Sequence, residues 1–224
     1  MAEVIVALEL PAASARRLLD RVPEARWVKV GSILFGREGP GFVRELVGRG
    51  LHVFLDLKWH DIPNTVAGAV ESAGELGVRM ASVHILGGGP MLEAAVRAAA
   101  PGLHLVGVTV LTAHDAGGLE RALGRTGVVV LEEVRRLAKQ AAEAGLRGVV
   151  CATQEARDVR AAMGPDPWIV VPGIRLPGDP AGDQARTATP AEAVEAGATH
   201  LVVGRPILQS ADPAEAFRRI KRAG

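Results

Sequence analysis

Residues 52–75 have the sequence HVFLDLKWHDIPNTVAGAVESAGE, and this one stretch contains the unit from which the fold is built. After His52, residues 53–57 form an apolar run broken only by Asp56, which is typical of a parallel strand covered on both faces. After Pro63 the sequence becomes rich in alanine, as in a helix. The stretch therefore predicts a strand over 52–57 followed by a helix over 65–75.

The same alternation of short β-branched runs with longer Ala-, Leu- and Arg-rich segments recurs along the whole chain. Strands are predicted over 4–10, 26–31, 52–57, 79–85, 104–111, 148–151, 168–171 and 200–203. Helices are predicted over 12–21, 41–47, 65–75, 90–99, 132–144, 153–162, 191–195 and 213–221. Eight strands, each followed by a helix, predict a closed (β/α)₈ TIM barrel, with an open doubly wound sheet as the alternative.

No linker or low-complexity tract divides the sequence, so residues 1–224 are expected to form a single domain of the α/β class. The segment 176–190, after the seventh strand, is the one long interruption of the pattern. It is rich in Gly, Pro, Asp and Thr, which predicts a mobile surface loop.

The overall composition excludes several classes of function. The 26 basic and 25 acidic side chains give a net charge of +1, which provides no electrostatic basis for binding nucleic acid or an anionic membrane. A single cysteine, Cys151, allows neither an intrachain disulfide nor a cysteine zinc site. No apolar run approaches the roughly 20 residues of a membrane span. We expect a soluble cytoplasmic protein that binds a small molecule.

Three charged side chains lie where two neighbouring strands end, which is the part of a (β/α)₈ barrel that forms active sites. Asp56 and Lys58 are two residues apart and project to the same side of the third strand, and Lys29 lies at a similar height on the second. Such groups are costly to desolvate unless they neutralise one another. The pattern indicates an alternating array of charges, either catalytic or serving only as a buried ion-pair network.

Asp61 is ambiguous when it is considered alone. It lies just before Pro63, where an acidic residue can serve the N-terminus of a helix. Taken alone, its position favours a purely structural role over a functional one.

A second cluster follows the last two strands, where these barrels commonly bind phosphate. Gly204 allows backbone amides to approach an anion, and Arg205 can offer a bidentate contact. Arg175 follows the seventh strand and adds a second guanidinium. Either arginine alone would indicate no more than a solvated turn, but together they predict a phosphate site.

Other chemically active residue types show no such pattern. Residues 87–89 are three glycines without dinucleotide-binding spacing and predict a tight turn. The histidines near strand ends, His60, His84 and His114, are not spaced as metal ligands, and Cys151 is expected in the core. No metal site and no cofactor are therefore expected.

Residues 56–66, DLKWHDIPNTV, closely resemble the signature of the orotidine 5′-phosphate decarboxylase family. Similarity to that family extends over nearly the whole chain. It includes VKVG at 28–31, EGP at 38–40 with FV at 42–43, VH at 83–84, VT at 108–109, LT at 111–112, PGIR at 172–175, DQ at 183–184, ATP at 188–190 and VGRPI at 203–207.

The resemblance implies a cofactor-free carboxy-lyase that converts orotidine 5′-phosphate to UMP, the last step of UMP biosynthesis. Lys58 would protonate C6 of the pyrimidine after carbon dioxide has left, and Asp56 would lie against the substrate carboxylate. Lys29 would lie on the other side of Asp56 and also reach the ribose. The family is homodimeric, so Asp61 would complete the array in the partner's active site and Thr65 would contact the ribose there.

The resemblance also assigns the groups that bind the rest of the substrate. Thr112 would contact the pyrimidine edge, and residues 176–190 would close over the phosphate. The phosphate ligands would be Arg175, Gln184, Gly204 and Arg205. Two departures from the family are visible. Glu9 stands where an aspartate usually binds a ribose hydroxyl, and Trp59 replaces a smaller aromatic residue.

Two alternatives remain at this point. Metal-dependent keto-gulonate-phosphate decarboxylases and hexulose-phosphate synthases share the Asp-x-Lys-x-x-Asp spacing, but they have an acidic metal ligand where this chain has Lys29. A non-catalytic nucleotide-binding or scaffold protein could retain the barrel and the phosphate pocket. The presence of all four charged residues of the family's array argues against that second alternative; they are Lys29, Asp56, Lys58 and Asp61.

Overall fold

The computed structural model describes residues 2–179 and 186–224, and its strands form a closed barrel in sequence order. All neighbouring strands are parallel, and the last pairs with the first through Glu3 and His200 at the start of the register. The strands are β1 Glu3–Ala7, β2 Trp27–Gly31, β3 His52–Trp59, β4 Met80–His84, β5 His104–Val108, β6 Gly148–Val150, β7 Trp168–Val171 and β8 His200–Val203. The predicted (β/α)₈ barrel is confirmed, and the open sheet is excluded.

Helices alternate with the strands along the described chain. They are α1 Ala12–Arg21, α2 Ser32–Gly48, α3 Pro63–Glu75, α4 Gly89–Ala98, α5 Ala116–Leu123, α6 Val130–Glu143, α7 Ala156–Met163, α8 Pro190–Glu195, α9 Arg205–Leu208 and α10 Pro213–Ala223. Two 3₁₀ turns, Ile85–Gly87 and Thr153–Glu155, follow β4 and β6. None of the described helices is both long and apolar enough to cross a membrane.

The apolar core has two layers because side chains alternate along each strand. In β1, Val4 and Val6 belong to the layer between strands and helices, whereas Ile5 and Ala7 point into the barrel. The inner layer comprises Ile5, Ala7, Trp27, Phe54, Met80, Val106, Val170 and Val202. It fills the barrel below the strand ends, so any cavity must open above it.

Three helical segments differ from the sequence prediction: α2, α5 and the short helix α9, which was not predicted. The helix expected over 41–47 begins already at Ser32, and Gly39, with a φ of 66°, introduces a kink before Pro40. Helix α5 was not predicted, because Gly117 and Gly118 give it low helix propensity. It is capped instead: the Asp115 carboxylate accepts the amide of Gly118 at 2.7 Å.

The segment predicted as a loop, 176–190, is described only in part, because residues 180–185 lie outside the described chain. Its two ends are joined by a bridge between Ile174 and Ala188. The amide of Arg175 donates to the carbonyl of Ala188 at 2.9 Å. Residues 174–175 and 188 therefore lie side by side between the end of β7 and the start of α8.

Candidate active site

A cavity of about 300 Å³ opens at the carboxyl ends of the strands, above the inner apolar layer. It collects side chains from most of the strand ends, as expected for this fold. Among the residues that line it are Glu9, Lys29, Asp56, Lys58, Thr112, Cys151, Arg175, Gly204 and Arg205. The cavity therefore combines the two clusters that the sequence analysis treated separately.

Four alternating charges form a chain along one wall, which we call the charged array: Glu9, Lys29, Asp56 and Lys58. Lys29 Nζ lies 3.4 Å from Glu9 Oε1 and 3.5 Å from Asp56 Oδ2. Lys58 Nζ lies 2.9 Å from the same Asp56 oxygen. A Cβ at Gly31 would lie only 3.2 Å from Lys29 Nζ, so this glycine leaves the space that the ammonium group occupies. The expected proximity of Lys29, Asp56 and Lys58 is confirmed.

The Asp56 carboxylate lies at the centre of the array and is almost fully buried. Burial raises its pKa, but the charges of Lys29 and Lys58 and the hydrogen bonds from Lys58 and Ser82 outweigh that effect. The net result is a pKa below the ordinary value of 3.8. Asp56 is therefore ionised at neutral pH, with two ammonium groups near its Oδ2 oxygen.

Ser82, on β4, is a site residue that the sequence analysis missed. Its fully buried Oγ donates to Asp56 Oδ1 at 2.8 Å and accepts from the backbone amide of Lys58 at 2.9 Å. Lys58 has a φ of 52°, which lies in the left-handed region, and the pairing of β3 with β4 shifts register there. The hydroxyl thus links both residues to β4. A serine inside the apolar run MASVH was the available signal, because a buried hydroxyl requires a partner.

The opposite side of the cavity is cationic. Arg175 is nearly buried, and its pKa is lowered by burial and by the charge of Arg205, an effect that Asp179 and Glu9 partly oppose. Its Nη1 donates to the carbonyl of Ile174 at 2.8 Å, which fixes the guanidinium beside the strand end. Both guanidinium groups line the cavity at the ends of β7 and β8, which favours binding of an anion there.

Asp61 and Thr65, unlike most of the other predicted site residues, do not line the cavity. Both are exposed, and neither is among the residues that line the cavity of a single chain. The Asp61 carboxylate accepts the amide of Ile62 at 2.6 Å, and α3 begins at Pro63 without a side-chain cap. Ile62 is 67% exposed, which is unusual for a large apolar side chain. Gln184 lies outside the described residues.

Thr112 and Cys151 line the cavity on the side of β5 and β6. Burial raises the pKa of the Cys151 thiol to about 12, although the charge of Arg186 opposes the shift. The thiol is thus protonated at neutral pH, which agrees with the expectation of a core residue rather than a nucleophile.

Two histidines stack beside the charged array. The rings of His60 and His84 are 5.3 Å apart between centroids, and the pKa of His84 is lowered by burial and by the charges of His60 and Lys58. Within the described parts of the chain, no group of three or more His, Cys, Asp or Glu side chains could hold a metal ion.

Comparison with known proteins gives a consistent result over nearly the whole chain. Residues 2–220 match the model of the orotidine 5′-phosphate decarboxylase / HUMPS family. A protein from Anaeromyxobacter sp. (strain K) named orotidine 5′-phosphate decarboxylase is 50% identical over 219 residues, which cover 97% of this chain and 96% of that protein. One of the same name from Halorhodospira halophila is 51% identical over 222 residues, covering 97% and 93%.

A solved structure agrees with these relatives. The crystal structure of orotidine 5′-phosphate decarboxylase from Lactobacillus acidophilus superimposes with a TM-score of 0.87 at 34% identity, covering all of this chain and 99% of that one. The resemblance and the carboxy-lyase class expected from the sequence are confirmed. The chain belongs to the orotidine 5′-phosphate decarboxylase / HUMPS family.

Proposed function

We propose that this protein decarboxylates orotidine 5′-phosphate to UMP without a metal or an organic cofactor, and that Lys58 delivers a proton to C6. The observation that carries the proposal is the Asp56 carboxylate, held by ammonium groups at 2.9 and 3.5 Å in a cavity whose other side presents Arg175 and Arg205. A substrate with an anionic group at each end matches this distribution of charge.

The chemical step needs fixed charges more than reactive groups. When the bond between C6 and the carboxylate breaks, carbon dioxide leaves and the electron pair remains on C6. The Lys58 ammonium stabilises that charge and then transfers its proton to C6, which forms UMP and leaves a neutral amine that regains a proton from solvent. Groups positioned before the reaction lower its barrier because they need no reorganisation.

Asp56 has two parts in this proposal. It holds the Lys58 ammonium group in place through their 2.9 Å contact, and it places a negative charge beside the substrate carboxylate, which raises the energy of the bound substrate. Lys29 offsets part of that repulsion and reaches the ribose. Glu9, at 3.4 Å from Lys29, would accept a ribose hydroxyl in place of the shorter aspartate.

The pyrimidine edge and the phosphate of the substrate would bind to other parts of the cavity. Thr112 would contact the pyrimidine edge, and the phosphate would bind Arg175, Gln184, Gly204 and Arg205. Residues 176–190 would then close over the phosphate. Such remote binding energy can be used to exclude water and orient the substrate, so it should affect turnover as well as affinity.

We further propose a homodimer in which Asp61 and Thr65 enter the partner's site. The exposure of both residues and of the adjacent Ile62 supports this arrangement, because a partner would cover an apolar side chain that is 67% exposed in one chain. A cytoplasmic location agrees with a role in UMP biosynthesis.

The main competing function is that of a metal-dependent sugar-phosphate enzyme. The ammonium group of Lys29, 3.5 Å from Asp56, disfavours a divalent cation next to that carboxylate. Loss of catalysis with retention of binding is the other alternative, and the intact charged array argues against it.

The decisive experiment follows the ultraviolet absorbance of orotidine 5′-phosphate with purified protein after treatment with a chelator. Conversion to UMP would support the proposal, and Lys58→Ala serves as the inactive control. Turnover of a sugar phosphate restored only by magnesium would assign the metal-dependent function, and turnover of neither substrate would indicate a binding protein.

A further inference from the structure

Behind the cavity wall lies a buried ion pair that the proposed mechanism does not use. Glu155, at the end of the 3₁₀ turn after β6, is almost fully buried, and its Oε1 pairs with Nη1 of Arg186. Its other oxygen, Oε2, accepts the backbone amide of Ala152 at 2.9 Å. Both carboxylate oxygens are thus occupied, and the pair is anchored to the turn that follows Cys151.

Arg186 makes a second connection, to the neighbouring strand end. Its Nη2 approaches the carbonyl of Leu111 at 3.4 Å, and Leu111 and Thr112 line the cavity after β5. The buried Nε of Arg186 has no hydrogen-bond partner among the described residues. The guanidinium therefore bridges the segments that follow β5 and β6.

The backbone that carries Arg186 extends the connection to β7. Two residues later, Ala188 pairs with Ile174, and its carbonyl accepts the amide of Arg175. Arg175 belongs to the cationic side of the cavity. A single side chain and a short bridge thus join the wall assigned to the pyrimidine to the segment assigned to the phosphate.

We propose that Arg186, paired with Glu155, is a positioning residue that couples the Leu111–Thr112 wall of the site to the phosphate-binding segment around Arg175. This inference rests on the proposed function. Arg186 is not among the residues that line the cavity, so it acts through the groups it holds. Its planar fork can contact Glu155 and the Leu111 carbonyl together, whereas the ammonium of a lysine is a single point charge.

This coupling predicts that a variant of Arg186 loses affinity selectively for ligands that occupy both halves of the site. A ligand that occupies both halves of the site benefits from their fixed separation, and a ligand that occupies one half does not. In Arg186→Lys we expect the inhibition constant of UMP to rise at least about tenfold, while that of uridine changes less than about threefold. The kcat/KM for orotidine 5′-phosphate should fall at least as much as UMP affinity, with kcat itself reduced.

A loss of stability must be separated from this effect, because a lysine at position 186 cannot reproduce the contacts that the guanidinium makes with the buried Glu155 carboxylate. The double variant Glu155→Gln/Arg186→Met removes both charges and keeps similar side-chain volumes. The matched control is Arg135→Lys, which alters an exposed arginine–aspartate pair between α6 and α7 that does not line the cavity. Melting temperatures are recorded for all variants.

The outcomes are distinct. Selective weakening of UMP in Arg186→Lys and in the double variant, with no change in Arg135→Lys, supports the coupling. Equal losses for UMP and uridine, or no loss in a folded variant, would overturn it while leaving the proposed function intact. A parent protein that fails to convert orotidine 5′-phosphate would overturn both.

Discussion

Replacement of Ser82 by alanine tests whether a buried hydroxyl holds the charged array in place. Ser82 Oγ donates to Asp56 Oδ1 over 2.8 Å and accepts the Lys58 amide over 2.9 Å. A hydrogen bond to a charged group contributes about 1.5–3 kcal/mol, and an orphaned buried amide costs about 1–3 kcal/mol. Allowing for partial relaxation, we expect the free energy of unfolding to fall by about 3 kcal/mol.

Catalysis should fall as well, because Asp56 and Lys58 lose their common support on β4. We expect kcat/KM to decrease at least about tenfold, since small displacements of catalytic groups are costly. The substrate assay is the absorbance change of orotidine 5′-phosphate, and stability is measured by urea unfolding.

The pH dependence of the free energy of unfolding provides a second test of the hydrogen bond between Ser82 and Asp56. Ser82 is one of the groups that lower the pKa of Asp56, so the pKa of Asp56 should be lowered less in Ser82→Ala than in the parent. A carboxyl group with a depressed folded pKa adds stability above its unfolded value, here 3.8, and that stability is lost as the pH falls through the folded pKa. The stability difference between variant and parent should therefore be larger at neutral pH than in acid.

Ser72→Ala is the matched control, since Ser72 Oγ donates only to the carbonyl of Gly68 on the exposed face of α3. This variant should keep the parent's kcat/KM and nearly all of its stability. If Ser82→Ala unfolds within about 0.5 kcal/mol of the parent and turns over substrate normally, the hydroxyl does not position the array and the reasoning fails.

Three further predictions concern other parts of the barrel. Lys58→Ala should retain the fold by circular dichroism and lose nearly all turnover; substantial remaining activity would remove Lys58 from the mechanism. Arg205→Ala should lower kcat/KM by more than about 3 kcal/mol equivalent, whereas a loss below about 1 kcal/mol would exclude a major role in phosphate binding. Burial lowers the pKa of His200 to about 4, so its neutral form is favoured in the folded state and the parent should lose stability as pH falls from about 6.5 towards 4. The loss attributable to His200 is at most about 3 kcal/mol, and urea unfolding of His200→Phe should show a flatter pH dependence over that range; an unchanged dependence would contradict the assignment.

The barrel could be predicted from the sequence because its strands are covered on both faces. Such strands appear as short apolar runs, and eight of them alternated with helical segments. The limits of the helices were less predictable. The early start of α2 at Ser32 and the existence of α5 depend on a kink at Gly39 and a cap at Asp115, which are local contacts without a periodic pattern.

The candidate site was predicted where function depends on charge at a strand end and missed where it depends on buried polar groups that have no such position. Lys29, Asp56 and Lys58 follow from their positions on neighbouring strands. Ser82 and the pair of Glu155 with Arg186 do not, because Ser82 lies inside an apolar strand and the ion pair joins a turn to a loop, and neither carries a charge at a strand end.

Charge balance explains how the array can exist in a cavity before any substrate binds. Glu9 and Asp56 carry two negative charges, and Lys29 and Lys58 carry two positive ones, so the four groups of one chain sum to zero. A neutral alternating array is far less costly to desolvate than an isolated ion, and each contact restrains the next. The substrate carboxylate would then add one negative charge beside Asp56, and decarboxylation would move that charge to C6, towards the proton of Lys58. The total charge does not change in that step, so its energy depends on where the fixed charges lie relative to the substrate carboxylate and C6. For this reason a hydroxyl such as Ser82 that only positions the charges should matter to the rate.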